Sequence, residues 1–157
     1  MKLSVIIAYY NAEKFIFPLL ESLQDQGFQQ GDYEILLVDD GSTNDVSELK
    51  NYISKSSAIK YLWQENARAS AAHNNGIKIA KGEYIYFIDN DDLVQRQVLS
   101  LAYEKASENQ LDILFFNRRI LQENEIPPTT QNNFDIKEIL SGQQYYGKNP
   151  DMPMLHC

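Results

Sequence analysis

The chain has 157 residues, enough for one domain with a proper core or for part of a larger one. Its 43% hydrophobic and 23% charged residues are ordinary for a soluble globular protein. With 14 basic against 22 acidic residues, the net charge of −8 argues against bulk binding to nucleic acid or an anionic membrane.

The first apolar run, at 3–8, is too short for a spanning helix and reads as a strand. Further strand-like runs lie at 34–38, 59–63, 84–88 and 113–116, separated by helix-length stretches at 13–26, 45–56, 67–80 and 93–109. This alternation predicts an α/β fold with a mostly parallel sheet. Right-handed crossovers then bring the strand carboxyl ends to one shared edge. Phe15, Leu19, Leu20 and Leu23 recur at helical spacing, and Pro18 predicts that the regular part of this helix begins near Phe17. Ala69, Ala72 and Gly76 predict a third helix lying close to the sheet, with Gly82 marking its stop. After Phe116 the pattern weakens into a loop around Pro127-Pro128 and a short helix near 135–140. The only cysteine is the last residue, Cys157, so an intrachain disulfide is excluded and a reducing cytoplasm fits.

The fourth run, Tyr84-Ile85-Tyr86-Phe87-Ile88, reads as a strand buried on both faces and ends in Asp89-Asn90-Asp91-Asp92. Acids released there sit at the carboxyl edge, where open α/β sheets bind ligands. Three carboxylates repel one another unless neutralised, and a hard, oxygen-seeking cation that also holds phosphate suits them. The alternative is a polar turn that caps the next helix. The first strand ends in Ala8-Tyr9-Tyr10-Asn11 and the second in Asp39-Asp40-Gly41-Ser42-Thr43. A ring can stack on a base, a carboxylate can accept from a base or ribose, and a metal can hold a diphosphate. Taken singly, Tyr10 is an ordinary half-buried aromatic, and the acid pair is a turn with a helix cap.

Val5–Asn11, Glu34–Asp45, Asn66 with Ser70–Gly76, and Gly82–Asp92 together resemble the ordered motifs of family 2 glycosyltransferases, inverting enzymes of the GT-A fold. The resemblance implies a Rossmann-like nucleotide-sugar-binding core over 1–116, with 117–157 as the incomplete start of an acceptor-side region. It implies a nucleotide-sugar donor, usually UDP-linked, and a Mn²⁺ or Mg²⁺ ion. Carried across, Tyr10 stacks on the base, Asp40 hydrogen-bonds it and Asp39 supports the same pocket. Asp91 is the main metal ligand, with Asp89 at the ribose or in the metal shell. Asp92 either helps hold donor or acceptor or caps a helix from Leu93. Ala8, Asn74 and Asn90 fall among the nucleotide-binding motifs. Two positions depart from the family: Ala8 stands where proline is usual, and His73 where arginine is usual. An imidazole with a pKa near ~6.5 is mostly neutral at pH 7, so His73 would orient the acidic loop or diphosphate more weakly. Arg68, about one helical turn earlier, is the substitute, and the other reading of His73 is a helix-packing residue hydrogen-bonded to backbone.

The function so implied is sugar transfer with inversion to a glycan or lipid-linked acceptor hydroxyl in bacterial surface polysaccharide synthesis, in the cytoplasm at the inner membrane face. The acceptor half of this family supplies the catalytic base, and no residue after Phe116 is assigned that role. The chain is therefore expected to be the donor-binding part of a longer transferase. As such it would expose apolar surface, self-associate through it and rely on the missing part for membrane docking. The alternative is a non-catalytic nucleotide-sugar-binding domain. A receiver domain would carry its acid pair after the first strand. A nucleotidyltransferase would carry a glycine-rich basic loop where Tyr9-Tyr10-Asn11-Ala12-Glu13 stands.

Overall fold

A computed structural model describes residues 1–115 of the chain. Two strands carry almost unbroken apolar sequence and become the middle of the sheet: β1 (Leu3–Tyr9) and β2 (Tyr33–Asp39) are buried at nearly every position. They pair in parallel, Leu3 opposite Tyr33 through Tyr9 opposite Asp39. β3 (Ile59–Trp63) flanks β2 and β4 (Tyr84–Ile88) flanks β1, giving the all-parallel order β3-β2-β1-β4. The chain runs outward from β1 to β3 and then crosses back to β4, so the strand order reverses between β1 and β4. Doubly wound sheets open their ligand crevice at such a reversal, outside the carboxyl ends of the strands.

One face of the sheet buries Val5, Ile7, Tyr9, Ile35 and Leu37 against α1 (Glu13–Ser22), α2 (Ser47–Ile53) and α4 (Val98–Glu108), which contribute Ile16, Leu19, Leu20, Leu49, Ile53 and Leu99. Each such fully buried aliphatic side chain contributes about 1.5–3 kcal/mol. The other face is covered by α3 (Ala69–Ile79), lying over β1 and β2. The close approach expected from its small residues is present: a Cβ on Gly76 would stand 2.5 Å from Ile6 Cγ2. Among the described residues, no helix is long and apolar enough to cross a membrane.

The structure corrects several expectations. β4 is not buried on both faces, since Ile85 and Phe87 are 37% and 46% exposed while Ile88 joins the core. The reason is that α3 spans β1 and β2 and leaves the same face of β4 largely uncovered. The buried stripe of α1 is led by Ile16, while Phe15 turns outward under Lys14, whose Nζ lies 5.3 Å from the ring centre. Pro18 does not delay this helix, which starts at Glu13. Both Pro18 and Lys14, whose carbonyl loses its intrahelical donor, lie on the exposed side, where water can substitute. α1 stops at Ser22 instead of running to 26, because buried Gln26 folds back and donates to the Ser22 carbonyl. α4 starts at Val98 instead of Leu93, because the preceding segment bonds to the end of α1. Val94 N–H donates to Ser22 Oγ, Gln97 N–H to the Asp25 carbonyl, and Gln26 Nε2 to the Gln95 carbonyl. Of the expected fifth strand, Ile113–Phe115 are not strand in the structure and Phe116 lies outside the described residues, as do the expected loop, helix and region 117–157.

The amino edge of the sheet is closed by one buried carboxylate. Ser4 and Glu34 are opposite one another in register, and Ser4 Oγ donates to Glu34 Oε1 at 2.7 Å. Lys60 Nζ reaches Glu34 Oε2 at 2.6 Å, the Lys81 N–H donates to Oε1 at 2.8 Å, and the Gly82 N–H donates to Ser4 Oγ. Burial alone would raise the Glu34 pKa; Lys60, Ser4 and the Lys81 amide outweigh it and hold it below the ordinary carboxylate range. This latch ties the α3–β4 connection to the two central strands.

Candidate active site at the carboxyl edge of the sheet

At the exit of β1 the chain splits its two tyrosines. Tyr9 is fully buried with its hydroxyl donating to Glu13 Oε1, and Tyr10 is 47% exposed. Asn11 then takes a left-handed conformation, φ 47°, and clamps the exit of β2. Its N–H donates to Ser42 Oγ at 3.0 Å, its Nδ2 to Thr43 Oγ1 at 3.1 Å, and its Oδ1 accepts from the N–H groups of Thr43 and Asn44.

The two acids at the exit of β2 are 1% and 4% exposed, and buried carboxylates persist only with hydrogen-bond partners. Asp39 spends both oxygens on the protein: Oδ1 accepts from the Ser42 N–H at 2.8 Å and Oδ2 from the Tyr61 hydroxyl. Burial, then this bond to Asp39, pushes the Tyr61 hydroxyl pKa up, so it remains a donor. Asp40 is bound differently. Its Oδ1 accepts from Gln64 Nε2 at 2.7 Å and from the Ala67 N–H at 2.8 Å, while its carbonyl accepts from Asn66 Nδ2. Gly41 makes this approach possible: its φ is 76°, and a Cβ there would lie 2.7 Å from the Asn66 nitrogen.

The segment after β3 leads into α3 through Arg68, exposed and also left-handed at φ 72°, whose carbonyl accepts the first helical N–H groups. Asn74 is exposed. His73 stacks obliquely on Phe87, ring centres 5.2 Å apart, and its buried Nε2 has no partner among the described residues. The imidazole thus lies in the α3–β4 contact, and its Nε2 lacks the backbone hydrogen bond that the packing reading of this residue expects.

At the exit of β4, Asp89 to Asp92 form a turn closed by the Asp92 N–H on the Asp89 carbonyl. Asn90 Nδ2 donates to the Ala8 carbonyl at 3.2 Å and ties this turn to the end of β1. Asp89 and Asp91 are exposed. Burial and then the charges of Asp92 and Asp89 raise the Tyr86 hydroxyl pKa. With α4 beginning at Val98, Asp92 does not cap a helix from Leu93. The ion pairs found among the described residues, Lys2–Asp32, Lys60–Glu34, Arg96–Asp25 and Lys105–Glu108, leave Asp39, Asp40, Asp89 and Asp91 out. No three His, Cys, Asp or Glu residues among the described ones form a metal cage. Asp89 and Asp91 are the exposed carboxylates of this turn, the residues that could hold a divalent ion alongside ligands from elsewhere.

The ends of three adjacent strands thus bring Ala8, Tyr10, Asp39, Asp40, Asn90 and the acidic turn to one edge, with Asn90 bonded to the Ala8 carbonyl and the Asp40 N–H to the Tyr9 carbonyl. Sequence reasoning missed Asn11 as a clamp, Tyr61 as the partner of Asp39, and Gln64. The signal for Gln64 was its place one residue past β3, on the strand that neighbours β2.

The sequence profile of glycosyl transferase family 2 matches residues 4–156. An uncharacterized glycosyltransferase of Bacillus subtilis, EpsJ, is 36% identical over 134 residues, covering 83% of this chain and 38% of that protein. A poly(ribitol-phosphate) β-glucosyltransferase of Bacillus spizizenii is 39% identical over 116 residues, covering 72% and 18%. Among solved structures, Staphylococcus aureus TarS 1–349 in complex with UDP superposes with a TM-score of 0.72 at 30% identity, covering 82% of this chain and 38% of that one. The same TarS fragment with UDP-GlcNAc gives the same TM-score. This chain spans less than two fifths of the length of each of these relatives. With its parallel α/β sheet and its profile match, the chain belongs to glycosyltransferase family 2.

Proposed function

We propose that this chain holds the donor, a nucleotide-diphosphate sugar with UDP as its carrier, for an inverting transfer to a glycan or lipid-linked hydroxyl in bacterial surface polysaccharide synthesis. The observation that carries the reading is Asp40, held on Oδ1 by two donors at the exit of β2, with Tyr10 exposed at the exit of the neighbouring strand β1. Oδ2 then serves as the acceptor for a base N–H while Tyr10 stacks on the base. Asp39, with both oxygens engaged, acts by holding Ser42 and the loop in place. Asp91, with Asp89, would hold Mn²⁺ or Mg²⁺, which when bound stabilises charge on the departing diphosphate. Arg68, exposed just before α3, and Asn74, exposed midway along it, would approach the phosphates, and His73 supports β4. TarS with UDP and with UDP-GlcNAc supports the choice of donor. The poly(ribitol-phosphate) β-glucosyltransferase supports a polymer as acceptor. The greater length of the relatives leaves room for a catalytic base beyond the span matched here, and no residue of this chain is proposed for that role.

A second reading, a nucleotide-sugar-binding domain without transfer, is favoured by one fact: Glu13, the carboxylate beside the exit of β1, has both oxygens engaged by Tyr9 and Asn44. Calorimetric titration with UDP, with and without Mn²⁺, beside Asp91→Ala tests the donor site. Metal-dependent binding lost in the variant supports it. No binding of UDP, GDP, CDP or dTDP by the wild-type chain contradicts it. Transfer assays on the longer protein then separate the two readings.

A further inference from the structure

Asp40 is the end of a chain of hydrogen bonds that runs back into α3. Lys78 Nζ donates to Asn75 Oδ1 at 2.9 Å, Asn75 Nδ2 donates to Gln64 Oε1 at 2.7 Å, and Gln64 Nε2 donates to Asp40 Oδ1 at 2.7 Å. The direction of this chain is fixed at both ends. An ammonium can only donate and a carboxylate can only accept, so each amide between them has one permitted orientation. Gln64 is further held because its own N–H donates to the Asp39 carbonyl at 2.9 Å.

From this geometry we infer that Gln64, oriented by Asn75, is a positioning residue that selects the donor's base. Two donors on Oδ1, the Gln64 amide and the Ala67 N–H, fix the rotation of the Asp40 carboxylate and leave Oδ2 to meet the ligand. An acceptor in that position favours a base that presents a ring N–H, such as uracil. It disfavours cytosine, whose corresponding ring nitrogen is an acceptor. Without Gln64 the carboxylate keeps its charge and its bond to Ala67 but can rotate about its last torsion. Affinity falls, and discrimination between the two pyrimidines falls with it. The inference rests on the donor reading above.

The test is titration of the chain with UDP and with CDP for wild type, Gln64→Met, Asn75→Asp and the double variant, with thermal melts alongside. Gln64→Met keeps the length of the side chain and removes its amide. Asn75→Asp keeps the shape but cannot donate to Gln64, so Gln64 must turn its oxygen toward Asp40. Each single variant is expected to weaken UDP about tenfold, in line with loss of a hydrogen bond to a charged group, while CDP changes little. The double variant is expected to bind no worse than Gln64→Met, because both act through one chain. Equal weakening of UDP and CDP, or additive losses in the double variant, would overturn the inference. So would wild-type UDP affinity and discrimination in Gln64→Met, with the donor site itself intact. Failure of the wild-type chain to bind any nucleotide would remove the donor reading and this inference together.

Discussion

β2 carries buried carboxylates at both of its ends, and the two ends treat them differently. At the amino end Glu34 is met by an ammonium, a hydroxyl and a backbone N–H that engage both oxygens. At the carboxyl end Asp40 is met by an amide and a backbone N–H on a single oxygen, with no ion pair. The first arrangement leaves nothing for a ligand and stabilises the fold. The second fixes a carboxylate and keeps part of it available. Burial of an acid is therefore no guide to its role; the identity and count of its partners are.

The largest effect expected from breaking this contrast is on the latch. Glu34→Ala leaves the Ser4 hydroxyl short of an acceptor and the Lys81 N–H with only its longer bond to Ser4 Oγ, and should cost about 2–3 kcal/mol of stability in chemical denaturation. UDP affinity of the folded protein should not change. The same latch sets a pH dependence. Because the Glu34 pKa is lowered in the fold, its contribution is fully present above the unfolded-state value of about 4.3. It is lost as pH falls below that value through the folded-state pKa. A melt series from pH 6 to pH 3 should therefore show a steeper decline for wild type than for Glu34→Gln.

On the ligand side, Tyr10→Ala should weaken UDP by about tenfold, the scale of one base–aromatic stack, with no loss of melting temperature because the ring is half exposed. The smallest effect belongs to Asn11→Ala. It removes the side-chain clamp on Thr43 and Asn44 and should cost about 1 kcal/mol in stability together with a modest loss of affinity.

What was legible in the sequence follows from this contrast. β1 and β2 announced themselves because strands buried on both faces leave no polar positions to confuse the pattern. β4 was legible as a strand but not as a partly exposed one, since exposure of Phe87 depends on where α3 lies. The phase of α1 was off by one residue at Phe15 and Ile16, two apolar neighbours between which only packing decides. The start of α4 was hidden because Ser22, Asp25 and Gln26 claim the backbone of the segment before it. At the site, Tyr10, Asp39, Asp40 and the acidic turn stood out because chemistry-bearing residues followed apolar runs. Gln64 and Asn11 did not, because a neutral amide signals nothing until its neighbours are known.

The measurement that tests the division of labour on β2 most directly is UDP titration of Asp40→Asn beside Glu34→Gln, with melts of both. The account predicts that Asp40→Asn loses UDP binding and keeps its melting temperature to within a few degrees, while Glu34→Gln melts earlier and binds UDP as wild type does. Retained binding in Asp40→Asn, or binding lost in folded Glu34→Gln, would contradict it.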